Sequence, residues 1–159
     1  LRTVAEALGV QRAEADRVWR EIDAGVQSAA QSLSPQARKQ RVYFEVSPTP
    51  YGASESSFIG ETLQRMGVRN ILPASLGPFP QVNPEFVVRA QPDVIMAGDS
   101  SRESMLQRPG WAQMRAVREN RLCVFLPQQA DTVVRAGPRM ADGAQLMAQC
   151  LNRTAGGGQ

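Results

Sequence analysis

The chain has 159 residues, of which 42% are hydrophobic and 21% are charged, and its formal net charge is +3. These values indicate one globular domain that is long enough to bury a core. The basic residues are scattered, so the sequence predicts no nucleic-acid-binding surface. It contains no apolar run of about 18 residues that could span a membrane, and no basic-then-apolar leader. We expect that an exported protein with this sequence is either mature or part of a longer chain.

The chain contains no histidine, which removes the commonest transition-metal ligand and the commonest general base near neutral pH. Its two cysteines, Cys123 and Cys150, are too few for a four-ligand zinc site. They fall in different predicted elements, and we expect two buried free thiols. A disulfide is the alternative, which an oxidising compartment would permit.

The predicted elements alternate between helices and strands. A short helix over residues 3–8 ends near Gly9, and a longer helix follows over residues 12–33, because apolar residues recur there at three- and four-residue spacing. Strands are predicted at 41–46, 68–72, 93–97 and 122–126, and further helical segments at 58–66, 84–90, 101–107, 111–115 and 138–152. This alternation predicts a parallel sheet that is covered by helices on both faces.

Loops that leave the carboxyl ends of parallel strands meet at one edge of the sheet, where α/β proteins bind ligands. The predicted loops are 47–57, 73–83, 98–102 and 127–137. Trp19 on the long helix and Trp111 in the short helical turn are both expected to lie in the core.

The segment 77–85 combines a rigid aromatic with an acidic helix start. The prolines on either side of Phe79 fix their own φ angles and so hold its ring on a stiff loop. Asn83 is a suitable N-cap, and Glu85 follows in the first turn, where the helix dipole favours an anion. The sequence therefore predicts an exposed aromatic and an exposed carboxylate on neighbouring turns.

Several short motifs together resemble one family. They are Phe-Pro-Gln-Val-Asn-Pro-Glu at 79–85, Pro-Asp-Val-Ile at 92–95, Arg-Pro-Gly-Trp at 108–111, Ala-Val at 116–117 and Arg-Ala-Gly-Pro-Arg at 135–139. In this order and spacing, the chain resembles the C-terminal lobe of the periplasmic substrate-binding proteins for cobalamin and ferric siderophores. These proteins deliver cargo to ATP-driven importers.

The resemblance implies an α/β fold, a three-layer α-β-α lobe with a mostly parallel sheet. Residues 1–40 would be the end of an N-terminal lobe plus the long connecting helix, 41–152 the ligand-binding lobe, and 153–159 a disordered tail. An ordinary amphipathic helix packed on the sheet would show the same apolar stripe as a connecting helix, so both alternatives stay open. The implied location is periplasmic or otherwise extracytoplasmic, with a lipid anchor in the parent protein left open.

The resemblance also implies four ligand-binding residues, namely Tyr51, Phe79, Asp131 and Arg135. The aromatic rings would stack on cargo, and the two charged groups would pair with its amides, phosphate or carboxylates. The alternatives are a half-exposed loop tyrosine, a phenylalanine that plugs the core, and an Asp131–Arg135 pair that satisfies itself. Relatives usually carry tryptophan at the position of Phe79, and some carry an aromatic at the position of Thr132.

Glu85 matches the acid by which this lobe docks on arginines of the membrane permease, and its alternative role is a helix-start acid that favours the dipole. The expected partners are therefore a small-molecule cargo, the permease subunits of an ABC importer and an N-terminal lobe, with no nucleic acid. We expect no resident cofactor and no bound metal.

The leading function is capture of cobalamin or a related corrinoid, and a ferric siderophore is second. Haem is third, because no histidine is available as an axial ligand, although a tyrosine could serve. A protein-interaction module without a small ligand is the alternative from a different class. An enzyme is disfavoured because no nucleophile or phosphate motif is present, but an acid/base pair of Asp93 and Asp99 is left open.

Overall fold

The computed structural model describes residues 2–134, 137 and 139–156, and only the backbone of residues 2–8 and 10. Its first element, α1, is one continuous helix over Arg2–Gln31, so the predicted break near Gly9 is wrong. An interior glycine destabilises a helix by only about 1 kcal/mol relative to alanine, and the surrounding residues favour the helix. α1 ends at Gln31, close to the predicted end at residue 33, and the Ser34 side chain accepts from the amide of Ala37 and caps α2 (Pro35–Arg38).

In the part of the chain that the structure describes, five strands form one sheet. They are β1 (Arg41–Ser47), β2 (Tyr51–Gly52), β3 (Arg69–Asn70), β4 (Val94–Ala97) and β5 (Leu122–Val124). β1, β4 and β5 are adjacent and parallel, and β3 pairs in parallel with the start of β1. β2 pairs antiparallel with the end of β1 and was not predicted. The predicted strands are confirmed, and the sheet is mostly parallel as expected.

Helices cover both faces of this sheet. Besides α1 and α2 they are α3 (Phe58–Arg65), α4 (Pro84–Ala90), α5 (Arg102–Leu106), α6 (Arg115–Arg118), α7 (Pro127–Val134) and α8 (Met140–Ala155). Val42 and Phe44 of β1 face the core formed with α1, α3, α7 and α8. Tyr43 faces a second core that includes α4, α5, α6 and Trp111. The alternation of side chains along β1 thus produces the predicted three layers.

The second half of α1 packs mainly on α8. Ile22, Val26 and Ala29 are buried, whereas Trp19 is 62% exposed, so the prediction that Trp19 lies in the core is wrong. Successive residues of a helix point about 100° apart, and Trp19 therefore leaves the stripe that Val18 begins. The predicted core position of Trp111 is confirmed, since it is completely buried.

A disulfide joins Cys123 of β5 to Cys150 of α8, with the Cα atoms 6.2 Å apart, so the expected free thiols are wrong. α8 lies along the edge strand β5, which brings the two residues opposite each other. Arg153, one turn further along α8, donates to the main-chain oxygens of Asn120 and Leu122 and so covers part of the exposed sheet edge.

Residues 127–134 form the helix α7, where the sequence predicted a loop. Ala130 and Val133 lie on the buried face of α7, and the helix packs closely on α8. The close approach depends on Gly143, because a Cβ atom there would lie 3.1 Å from the carbonyl oxygen of Thr132. α8 begins at Met140, after the predicted start at Pro138, which is outside the described residues.

Candidate functional site

Tyr51 and Phe79 lie on two neighbouring segments that run antiparallel at the carboxyl end of β1. The amide of Gly52 donates to the oxygen of Pro80, and the amide of Val82 donates to the oxygen of Pro50, both at 3.0 Å. Tyr51 faces Gln81 in an isolated bridge between these segments. The structure therefore brings the two predicted ligand-binding aromatics together on one hydrogen-bonded surface.

Both rings are accessible. Tyr51 is 40% exposed and Phe79 is 39% exposed. The ring of Phe79 meets that of Phe58, at the start of α3, edge to face with centroids 5.9 Å apart. Phe79 is thus held by a ring contact while much of its side chain stays accessible, as stacking on a ligand requires.

Asp131 lies on α7 and its side chain is exposed, so its predicted place on a loop is wrong. α7 follows β5, whereas Tyr51 belongs to β2 at the other edge of the sheet, three strand spacings or about 14 Å away. The end of α7 returns toward the sheet, since a Cβ atom on Gly98 would lie 2.8 Å from Val134. Asp131 is one helical turn before Val134 and therefore on the same side of α7. Arg135 lies outside the described residues.

Glu85 lies in the first turn of α4, as predicted, and its side chain is exposed. The helix starts there because Asn83 accepts from the amide of Glu85 at 2.9 Å and Pro84 occupies the first helical position. A shallow pocket of about 310 Å³ adjoins Glu85 and is also lined by Val88, Arg89, Pro109 and Gly110. An acid and an apolar recess thus share one surface, on the layer formed by α4 to α6.

A buried charge cluster near this rim was not predicted. Glu45 on β1 is completely buried, and both of its oxygens accept from Arg108, at 2.7 and 3.0 Å. Tyr43 donates to Glu45 at 3.0 Å, and Ser100 also donates to it. Burial, the Glu45 charge and this hydrogen bond raise the pKa of the Tyr43 hydroxyl above its usual range. The available signal was the lone acid in Val-Tyr-Phe-Glu-Val, which a buried strand tolerates only with a partner.

Trp111 connects this cluster to α4. Its ring lies 4.5 Å from the guanidinium carbon of Arg108, a cation–π distance, and meets the Tyr43 ring edge to face at 6.1 Å. Its indole N–H donates to the main-chain oxygen of Pro84 at 3.3 Å. The Arg-Pro-Gly-Trp motif is therefore structural, as predicted for Trp111.

Asp93 and Asp99 do not form an acid/base pair. They flank opposite ends of β4, about 20 Å apart along an extended strand. Asp93 accepts from the amide of Arg41 at 2.8 Å and pairs with Arg115, so it holds the start of β1. Within the described part of the chain, no cluster of three acidic or cysteine residues could hold a metal ion.

The family model for periplasmic binding proteins matches residues 1–130. An uncharacterised ABC transporter substrate-binding lipoprotein of Bacillus subtilis strain 168, YvrC, is 28% identical over 154 residues, which are 93% of this chain and 47% of that protein. The chain thus spans about half the length of this relative. In the residues that the structure describes, no helix has both the length and the apolar character needed to cross a membrane.

Solved structures share the fold, among them the following three. A periplasmic solute-binding protein of Staphylococcus epidermidis, described as possibly iron-binding, has a TM-score of 0.75 and 22% identity over 91% of this chain and 57% of its own. The haem-binding protein RhuT of Roseiflexus has a TM-score of 0.69 and 24% identity, and the match covers 96% of this chain and 60% of RhuT. The vitamin B12-binding protein BtuF of Vibrio cholerae has a TM-score of 0.66 and 23% identity, and the match covers 91% of this chain and 54% of BtuF.

The α-β-α lobe and the family match over residues 1–130 together define a class of binding proteins. The chain belongs to the family of periplasmic binding proteins. The family resemblance inferred from the motifs is thereby confirmed.

Proposed function

We propose that the chain is the C-terminal lobe of the substrate-binding component of an ATP-driven importer, and that it binds cargo without transforming it. The observation that carries this proposal is the pair of exposed rings, Tyr51 and Phe79, on hydrogen-bonded segments at the carboxyl rim of the sheet. Family membership and the substrate-binding relative support the same function.

The cargo that fits this rim is a broad molecule with apolar faces and polar edges. Tyr51 and Phe79 offer stacking surface at one edge of the sheet, and Asp131 lies on α7, the helix that follows the strand at the other edge and whose end returns to the rim. We propose cobalamin or a related corrinoid first and a ferric siderophore second, with Arg135 as a further anion-binding group. The haem-binding relative favours haem as a third candidate, for which the hydroxyl of Tyr51 is the available axial ligand.

The location we propose is periplasmic or at the outer face of a membrane. The family is extracytoplasmic, and the Cys123–Cys150 disulfide agrees with an oxidising compartment. The lipoprotein relative suggests that a lipid anchor is present in the parent protein.

Stacking is tested by equilibrium dialysis with aquocobalamin and a ferric hydroxamate, in the two-lobe protein that we propose as the parent. Replacing Tyr51 or Phe79 by alanine should weaken binding by about 1–3 kcal/mol each if the rings stack on cargo. Val124 is a matched control, since it is 38% exposed but lies on the edge strand β5. Unchanged affinity with a lower melting temperature would show that both rings serve packing alone.

One lobe supplies one wall of a two-lobed cleft. Because only the surplus over the cost of association appears as affinity, the isolated chain should bind much more weakly than a two-lobe protein. Equal affinity of the two forms would contradict this geometry.

The docking role of Glu85 is tested separately. In the two-lobe protein, Glu85→Lys should leave cargo affinity nearly unchanged and lower the rate of uptake. Glu61→Lys is the control, because Glu61 is also an exposed acid in a first helical turn, but on α3 in the opposite layer. Equal uptake by the two variants would remove Glu85 from the permease interface.

A further inference from the structure

A continuous path of side-chain contacts joins the loop before Tyr51 to the start of α4. Arg108 holds Glu45 with two nitrogens, and its Nη2 atom also donates to the main-chain oxygen of Pro48 at 3.5 Å. The Arg108 guanidinium lies on the ring of Trp111, whose indole N–H reaches the oxygen of Pro84. Pro48 is three residues before Tyr51, and Pro84 directly precedes Glu85.

Stability alone is a poor explanation for this arrangement. A buried ion pair gains little over well-packed apolar residues, because both charges must leave water. The Arg108 side chain is only 13% exposed and that of Glu45 is not exposed at all. What the pair adds is geometry, since a planar guanidinium fork fixes the positions of its acceptors in a way that a lysine cannot.

We propose that Arg108 is a positioning residue that holds the Tyr51 loop and the Glu85 helix start in one fixed arrangement. Resting on the proposed function, this link makes the cargo-facing and permease-facing surfaces move as one body. A displacement of the loop at Pro48 shifts the guanidinium, and the stacked indole carries that shift to Pro84.

A second route runs between the same two surfaces, and the test has to separate the two. The main-chain bridge between Tyr51 and Gln81 leads through Asn83 into α4 without passing Arg108. The reporter must therefore lie on the side-chain route itself. The indole N–H of Trp111 is such a reporter, and that of the exposed Trp19 is an internal reference, since the chain has two tryptophans.

The experiment measures exchange of the two indole protons by NMR in this chain. Ser47→Ala perturbs the loop by removing the hydroxyl contact with Thr49, which is 2.9 Å long. In the otherwise unsubstituted chain, Ser47→Ala should speed exchange of the Trp111 indole proton by about 2- to 10-fold, which is the equivalent of one weakened hydrogen bond. The Trp19 indole should not respond.

The same loop substitution is then made in a background that carries Glu45→Gln with Arg108→Met, which removes both buried charges. In this background, Ser47→Ala should no longer change the exchange rate of the Trp111 indole proton. Replacing Arg108 by lysine instead of methionine should not restore the response. An equal response in both backgrounds would overturn the proposal and assign coupling to the main-chain bridge. No response in either background would also overturn it.

This test contains no cargo and no permease. Its failure would leave the proposed function standing. A chain that binds no cargo could still show the Arg108 link, so the two failures are distinguishable.

Discussion

The disulfide between Cys123 and Cys150 gives a stability prediction whose size follows from the chain. The bridge spans 27 residues of sequence. In the chain-entropy treatment, closing a loop of that length stabilises the folded state by about 3.5 kcal/mol. For a domain of this size, that corresponds to a drop in melting temperature of about 7–14 °C when the bridge is lost.

The variant is the double substitution Cys123→Ser and Cys150→Ser, and the assay is urea unfolding followed by circular dichroism under non-reducing conditions. The unsubstituted chain in reducing agent is the matched control, since the reducing agent opens the same bridge without a change of sequence. Arg153 donates to the sulfur of Cys123 at 3.1 Å, and a serine hydroxyl can still accept from it. A difference in unfolding free energy below about 1 kcal/mol in both comparisons would refute the entropic argument.

Three other predictions concern buried and exposed side chains. Arg108→Met should lower the unfolding free energy by about 3–5 kcal/mol, because it leaves the Glu45 carboxylate buried without its cation. Adding Glu45→Gln to this variant should recover much of the loss. Additive losses of the two substitutions in urea unfolding would contradict the pairing. The folded state raises the pKa of Tyr43, so the stability that this residue contributes is complete below the unfolded pKa of about 10 and falls by about 1.4 kcal/mol per pH unit above it. A plot of the unfolding free energy against alkaline pH should therefore be flatter for Tyr43→Phe than for the unsubstituted chain. Identical slopes would rule this out. The exposed Trp19 should promote self-association, so sedimentation velocity should show a larger species for the unsubstituted chain than for Trp19→Gln. An unsubstituted chain that stays monomeric at high concentration would count against this prediction.

Local signals in the sequence predicted the elements that carry their own start and stop. α4 has the predicted bounds, because Asn83 and Pro84 determine its first turn without help from the rest of the chain. The apolar run at residues 94–97 is a parallel strand for a similar reason, since only a doubly covered sheet buries every residue of it.

Features that depend on distant residues were missed or wrong. Glu45 and Arg108 are 63 residues apart, and no periodicity links them. The disulfide depends on α8 lying along β5, which neither segment encodes alone. α7 forms within the predicted loop 127–137, because its buried face packs on α8 through the small residue Gly143.

The candidate site was predicted in part. The loop segments at Tyr51 and Phe79 are exposed at the expected rim, but their pairing through β2 and Gln81 was not visible, since a two-residue strand leaves no pattern. The role of Asp131 remains a prediction, and Arg135 lies outside the described residues.

The central claim is that Tyr51 and Phe79 form one wall of a cargo cleft. The most direct measurement is an NMR titration of the ¹⁵N-labelled chain with aquocobalamin and with a gallium-loaded hydroxamate siderophore, which detects weak binding by a single lobe. We predict shifts confined to the amides of the non-proline residues in 47–52, 77–82, 98–101 and 129–134, with none at Arg69 or Asn120 at the opposite end of the sheet. Shifts centred on that opposite end, or no saturable shift with either cargo, would contradict the account.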